Sequence, residues 1–378
     1  MRDDNISFLL RGEYFFLKEK VSFKRVISFG GAFIALIIGS GFATGQELMQ
    51  YFSSYGKLGA LSLVLVFALF YIVGTELITT GYEKHFENPN DIYTEVSGKY
   101  IGKFYDYFSV FFLFLSYTVM IAGAQATAME QYNAPEYVGG VILAIFVMTT
   151  VYFGLDKIVD IIGSIGPVIV ILAIGVGTVS LILNFKNIPN AAGDLEMALN
   201  SGDLHVASTN PILAAGSYVG FNLIWLAGFL STIGKELNSK KEGRLSIFTG
   251  SFGFSLASLL VSTAIYISIS KVYSSQIPML LLARDISPTL AHIFSVVIFF
   301  GIYTSAVPLL WNVVARFSED GTKRYKMLTI CLGIIGAIIG LTIHFNKLVN
   351  VVYVVNGYIG LVFGLFLIVR HFKRKFKA

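Results

Sequence analysis

Ten apolar stretches, each bounded by polar or charged residues, recur along the 378-residue chain. They fall near residues 26–52, 58–80, 104–130, 137–153, 158–184, 211–234, 245–270, 286–316, 327–343 and 348–370. Most run for about 20 residues with few charges, the length of α-helix that crosses ~30 Å of hydrocarbon. The pattern predicts an all-α integral membrane protein of ten transmembrane helices, spans 1 to 10. Residues 185–210 interrupt the series with Pro189 and several Asn and Asp residues, and Pro211 follows. This reads as a long exposed connection between two sets of five spans, 26–184 and 211–370. A short segment, 1–25, precedes them and a tail, 371–378, follows.

Composition agrees. Apolar residues make up 55% of the chain and charged residues 13%, against roughly a quarter charged in a soluble domain. A soluble core cannot hide that much apolar surface. With the N-terminus inside, 23 of the 28 Lys and Arg residues fall in inner segments. Cytoplasmic loops of membrane proteins carry this excess. Both termini are therefore expected in the cytoplasm, with the chain crossing a bacterial cytoplasmic membrane many times. Topology accounts for the net charge of +5 without nucleic acid as a partner. Met1–Lys20 mixes acidic and basic residues and lacks the continuous apolar core of a cleavable signal, so span 1 is expected to act as its own signal. Val21 is an alternative start. The single cysteine, Cys331, excludes a disulfide framework and reads as a packing residue. His205, His292 and His344 form no metal-ligand spacing.

Two spans carry sequences that favour a break at mid-membrane, where transporters free backbone groups for substrate and ions. In span 1 the run Gly39-Ser40-Gly41-Phe42-Ala43-Thr44-Gly45-Gln46-Glu47 holds three glycines in seven residues. In span 6 the run Ala214-Ala215-Gly216-Ser217-Tyr218-Val219-Gly220-Phe221-Asn222 lies at the corresponding place of the second half. Paired interruptions are the mark of an inverted repeat. The alternative is close helix packing through small residues. Gly31, Ala35 and Gly39 fit such a face, spaced by four, but Gly41 lies about 200° around the helix from Gly39. At span 6 both readings stay open.

The stretch Ile34-Ala-Leu-Ile-Ile-Gly39-Ser-Gly41-Phe-Ala-Thr-Gly45-Gln-Glu47 resembles the first helix of the amino acid–polyamine–organocation superfamily, and especially the YkvI-type bacterial membrane proteins. The resemblance runs from about Phe23 through nearly the whole chain. It implies the LeuT-type fold of two inverted five-helix repeats, with helices 1 and 6 broken and substrate held between them and helices 3 and 8. A half-helix beginning after Gly41 would present free N–H groups and a positive dipole end, which suits a carboxylate. Ser40, Gly41, Phe42 and Gly45 are then substrate-binding candidates. Gly216, Ser217 and Gly220 would form the other wall, and Tyr117 on span 3 would add a hydroxyl unless it simply packs.

The resemblance to sodium-coupled members implies one sodium site, with Thr304 and Ser305 of span 8 as side-chain ligands. Ala35, Ile38 and Gly301 would offer carbonyls, a hard-cation set of five oxygens. Alternatively, the two hydroxyls bond their own helix. Some relatives hold a second sodium with an amide residue just after the glycine pair, where this chain has Phe42. Metal-carrying relatives place Asp and Asn in the break, where this chain has Ser40 and Phe42. Among acids in or near the spans, Glu47 lies ~7.5 Å from the outer end of span 1. It could gate an outer vestibule, carry a proton, or reach interfacial water. Glu76 near the inner end of span 2 is a second candidate for gating or proton coupling, with an interfacial or packing role as the alternative, and Glu130 at the end of span 3 reads as an exposed residue.

No nucleophile–base constellation or metal cluster marks an enzyme. The expected function is secondary active transport of a small organic solute, an amino acid first, coupled to sodium or protons. The competing reading is a solute sensor or receptor subunit that keeps the transporter fold without transporting, as some spore-germination proteins of the superfamily do.

Overall fold

A computed structural model describes residues 21–154 and 159–375. Met1–Lys20, most of the expected N-terminal segment, lies outside the described residues, as do the first residue of span 5 and the last three of the tail. Span 1 is three helices, α1 (Phe23–Ile37), α2 (Ser40–Thr44) and α3 (Gln46–Tyr51). Span 2 is α4 (Lys57–Lys84), and a short α5 (Asp91–Ser97) leads to span 3, α6 (Lys99–Tyr132). Spans 4 and 5 are α7 (Val138–Phe153) and α8 (Val159–Leu183). The expected loop at 185–210 holds a helix of its own, α9 (Ala191–Ser201). Spans 6 and 7 are α10 (Pro211–Lys235) and α11 (Lys240–Ile267), and then come two short helices, α12 (Ile269–Val272) and α13 (Pro278–Ile286). Spans 8 and 9 are α14 (Pro288–Ala315) and α15 (Lys323–Thr342). Span 10 opens with α16 (Phe345–Leu348), passes through a π-helical turn at Val349–Tyr353 and continues as α17 (Val354–Lys375).

Among the described residues seven helices are long and apolar enough to cross a membrane, and α7 and the Pro167–Leu183 part of α8 are shorter apolar stretches. Large apolar side chains such as Leu61, Val64, Phe146, Ile335 and Ile338 face outward, as a surface solvated by lipid requires. The molecule is a multi-span membrane protein. Cys331, expected to be packed, is exposed on α15.

The interruption of span 1 falls in the glycine-rich run as expected, but helix resumes at Ser40 and again at Gln46, so Gly41 is itself helical and no half-helix begins after it. Helix α1 ends as Ile38 takes φ −78°, ψ 75° and Gly39 becomes extended. Gly45 then takes φ +81°, a left-handed conformation that favours glycine, and separates α2 from α3.

Span 6 departs from expectation. It is one uninterrupted α-helix from Pro211 to Lys235, so the predicted break is absent and the packing reading holds there. Its small residues let α10 lie directly on α17. A Cβ on Gly220 would overlap the Gly357 carbonyl oxygen and lie 2.6 Å from Leu361 N. One on Gly360 would overlap Gly220 O and sit 2.5 Å from its carbonyl carbon. A continuous helix also keeps every backbone group bonded in a lipid environment, which a break would forfeit. The wider turn lies instead in span 10, where no glycine signals it.

An ionic latch closes the end of the bundle that the charge pattern assigns to the cytoplasm. Glu76 of α4 receives Arg370 Nε at 3.0 Å and lies 3.3 Å from Arg374 of α17. Arg370 also reaches Glu95 of α5 at 2.8 Å, and Glu83 holds Arg374 at 2.9 Å and Lys240 at 2.6 Å. Glu76 is thus buried in a structural ion network, away from any gate at the break.

Candidate functional site

The broken segment of span 1 borders a small central cavity. Its walls are Ile37, Gly39, Gly41 and Glu47 from span 1, Met120 from α6, and Phe221, Asn222 and Trp225 from α10. Ser305 of α14 and Tyr353 of the π-helical turn complete them. The space is about 10 Å³, enough for roughly one water, so a solute enters only if walls move. A larger surface cleft of about 330 Å³ beside Val96, Phe366 and Arg370 belongs to the ionic latch, and its arginines are already engaged by acids.

Glu47 dominates the cavity's polarity. It is 6% exposed. A Cβ placed on Gly41 would overlap Glu47 Oε1 and lie 2.5 Å from its carboxyl carbon, so the side chain occupies the hollow that Gly41 leaves. Its hydrogen bond from the Tyr218 hydroxyl is long, 3.5 Å. The lining contains no Lys, Arg or His. Glu47 thus stands inside the cavity, short of interfacial water.

The far wall is aromatic. Phe221 and Tyr353 stack at 4.8 Å between centroids, and Trp225 meets Tyr353 edge-on at 6.4 Å. Tyr353 is fully buried, and among the described residues neither its hydroxyl nor the Trp225 indole N–H has a hydrogen-bond partner. Buried polar atoms are ordinarily satisfied, so these two are available to a polar group entering the cavity.

Other residues expected at the site are elsewhere. Phe42 packs on Phe254 of α11 at 6.0 Å. Gly45 approaches Met279 of α13, where a Cβ would lie 2.6 Å from Cγ. The Tyr117 hydroxyl donates to Gly333 O of α15 at 3.3 Å, so it secures the scaffold. Gly216 and Gly220 face Leu361 and Gly357 of α17, and Ser217 Oγ donates to Val354 O at 3.3 Å. These three serve the seam between spans 6 and 10. Ser40 heads α2.

The sodium candidates are partly brought together. Ser305 joins the cavity wall, and a Cβ on Gly39 would be 3.9 Å from its Oγ. Both hydroxyls turn to their own helix, Thr304 Oγ1 at 3.0 Å and Ser305 Oγ at 2.9 Å from Gly301 O. Ile38 is buried at the end of α1, whereas Ala35 is exposed.

Polar contacts tie span 1 to its neighbours at both of its ends. On the side of α3, Gln50 O accepts from Ala207 N at 3.0 Å, and the Gln50 amide donates to Asn346 O at 2.9 Å. Asn350 of the π-helical turn donates to Gln50 Oε1 at 3.1 Å and to Val206 O at 2.8 Å. At the opposite end Arg25 of α1 pairs with Glu242 of α11 at 3.4 Å and donates to Glu236 O, while Ser22 N donates to Glu242 at 3.2 Å.

Known proteins resemble this chain in sequence or in fold. No family model matches the chain. The uncharacterised membrane protein YkvI of Bacillus subtilis (strain 168) is 24% identical over 337 residues, 88% of this chain and 92% of YkvI. YyaD of the same organism is 22% identical over 280 residues, 74% of this chain and 78% of its own. Among solved structures, MhsT in complex with L-phenylalanine superposes with a TM-score of 0.54 at 15% identity, covering 90% of this chain and 87% of MhsT. The fold is LeuT-type. Mhp1, a nucleobase-cation-symport-1 family transporter in a closed conformation with bromovinylhydantoin bound, shares it. Its TM-score is 0.52 at 13% identity, over 86% of this chain and 74% of Mhp1. Within this LeuT-type fold the chain keeps its span-1 interruption and leaves span 6 whole.

Proposed function

We propose that the protein is a secondary active transporter of a small organic solute, an amino acid or related amine, working by alternating access. The observation that carries this is the interrupted span 1 bordering a small central cavity with the buried carboxyl group of Glu47 inside. A transporter needs a central site and two separable seals, and the Gln50 and Arg25 contacts at the two ends of span 1 would serve as those seals. The structural likenesses support the same reading. The protein would cross the bacterial cytoplasmic membrane with both termini inside, and sodium or a proton would drive it. Sodium would use Ala35, Ile38, Gly301, Thr304 and Ser305; a proton would use Glu47.

Counterflow in proteoliposomes tests the reading. Vesicles preloaded with unlabelled solute should accumulate the labelled form transiently. Binding without counterflow would instead identify a sensor. For orientation, Cys331→Ser with Phe376→Cys should be labelled only from the cytoplasmic side, and labelling from outside would reverse the topology.

A further inference from the structure

The reading of the break as a carboxylate seat does not fit its geometry. The hollow beside Gly41 is already filled by the carboxyl group of Glu47. A solute carboxylate brought into the cavity would compete with that carboxyl group for the same space, and among the described residues the lining provides no basic side chain to pair with it. A carboxylate without a basic partner is costly to hold in a poorly solvated site. A positive group meets the reverse situation, because Glu47 has one long hydrogen bond and no ion-pair partner among the described residues.

The opposite wall suits the same group. Phe221, Trp225 and Tyr353 present aromatic surface to the space that Glu47 borders. Aromatic faces attract ammonium ions, more so when water is excluded. The free Trp225 N–H and Tyr353 O–H are left for a neutral oxygen of the solute, such as a hydroxyl or carbonyl.

We propose that the site recognises an organic ammonium ion whose amino group pairs with Glu47 and whose frame lies against Phe221, Trp225 and Tyr353. Amines then bind in preference to the amino acids that carry the same side chain plus a carboxylate. This rests on the cavity being the solute site of the proposed transporter, and it narrows the solute class.

The chain has two tryptophans, so Trp311→Phe leaves Trp225 as a fluorescent reporter inside the cavity wall. Trp311 is remote from the site, bonded to Asp320. The full-length Trp311→Phe protein would be titrated in detergent at constant ionic strength with phenethylamine and L-phenylalanine, then with isobutylamine and L-valine. The expected result is a change in Trp225 emission at amine concentrations at least about tenfold below those needed for the parent amino acid. Adding Glu47→Gln should weaken amine binding by about tenfold or more, and Glu47→Asp, which keeps the charge, should retain the preference for amines even if Glu47→Gln folds poorly.

Amino acids binding as tightly as the amines, with Glu47→Asp showing no preference, would overturn the ammonium assignment and leave the transport site standing. Silence of Trp225 toward amines and amino acids alike would remove both. Emission that follows sodium chloride but no amine would assign the cavity to an inorganic cation and also overturn the proposal.

Discussion

The carboxyl group of Glu47 occupies the space that any side chain on Gly41 would need. This relationship joins two residues on either side of the Gly45 kink and sets the shape of the cavity. Gly41→Ala should therefore drive Glu47 out of place. The expected cost is roughly 1–3 kcal/mol of stability, with loss of solute binding. Combining Gly41→Ala with Glu47→Ala should recover most of that stability without recovering binding. A double-mutant cycle read by thermal melting and Trp225 fluorescence checks this. Additive costs would show that the two residues do not compete for one space.

The seam between spans 6 and 10 should respond differently. Gly360→Ala sets a methyl group against the Gly220 backbone, which has no flexible end to yield. A loss of about 3 kcal/mol or more is expected, since overpacking against backbone forces helices apart. Gly31→Ala meets nothing within 4 Å and removes a helical glycine, so it should stabilise by about 0.5–1 kcal/mol. Thermal melting of the two variants beside wild type reads both signs.

The latch of Glu76, Glu95 and Arg370 should be the most costly ion network to break. Arg370 is 19% exposed and Glu76 3%, so Arg370→Ala takes one of two arginines from a buried carboxylate, leaving Arg374 at 3.3 Å, and should cost about 1–3 kcal/mol. Lys271→Ala, which removes an exposed pair with Asp285, should cost within about 1 kcal/mol. Burial pushes the Glu95 carboxyl up, but the hydrogen bond and charge of Arg370 and the charge of Lys84 outweigh it and hold the group below its ordinary value. Its contribution is then fully present above the unfolded carboxylate range, near pH 4, and is lost as pH falls through the lower folded value. Melting temperature should drop on acidification in wild type, and less steeply in Glu95→Gln.

Coupling separates by substitution at span 8. Thr304→Val keeps shape and deletes the hydroxyl that now bonds Gly301. If sodium drives uptake through this site, the variant should lose most of its sodium dependence while its melting temperature moves little. Uptake under imposed sodium and proton gradients decides the matter. Glu47→Gln failing under the proton gradient, with Thr304→Val like wild type, would assign coupling to the carboxylate.

Much of this architecture was legible in the residues. Apolar runs locate spans such as α4 and α10 within a few positions, because hydrocarbon thickness fixes their length. Three glycines at 39, 41 and 45 announce the interruption of span 1, because Gly45 must adopt positive φ. Gly216 and Gly220 look alike in sequence but serve packing, since a glycine can mean either a break or a near neighbour and only α17 reveals which. Trp225 carries a weak signal as one of two tryptophans, and Gln46, Glu47 and Gln50 stand out as polar positions in an apolar run. Tyr353 carries none. It reaches the cavity through the π-helical turn, and Val-Asn-Val-Val-Tyr has nothing in its composition that distinguishes a π turn from an α turn.

That turn gives span 10 one residue more than an α-helix needs over the same height. Such a surplus can be handed along a helix one position at a time, each transfer rotating the residues between by about 100°. Transfer past Asn350 and Tyr353 would carry the first away from Gln50 and the second away from Phe221 in a single step, with no peptide group left bare to the lipid. Span 10 would then open the chamber as a ratchet does, its helix never severed, while span 1 keeps the fixed jaw.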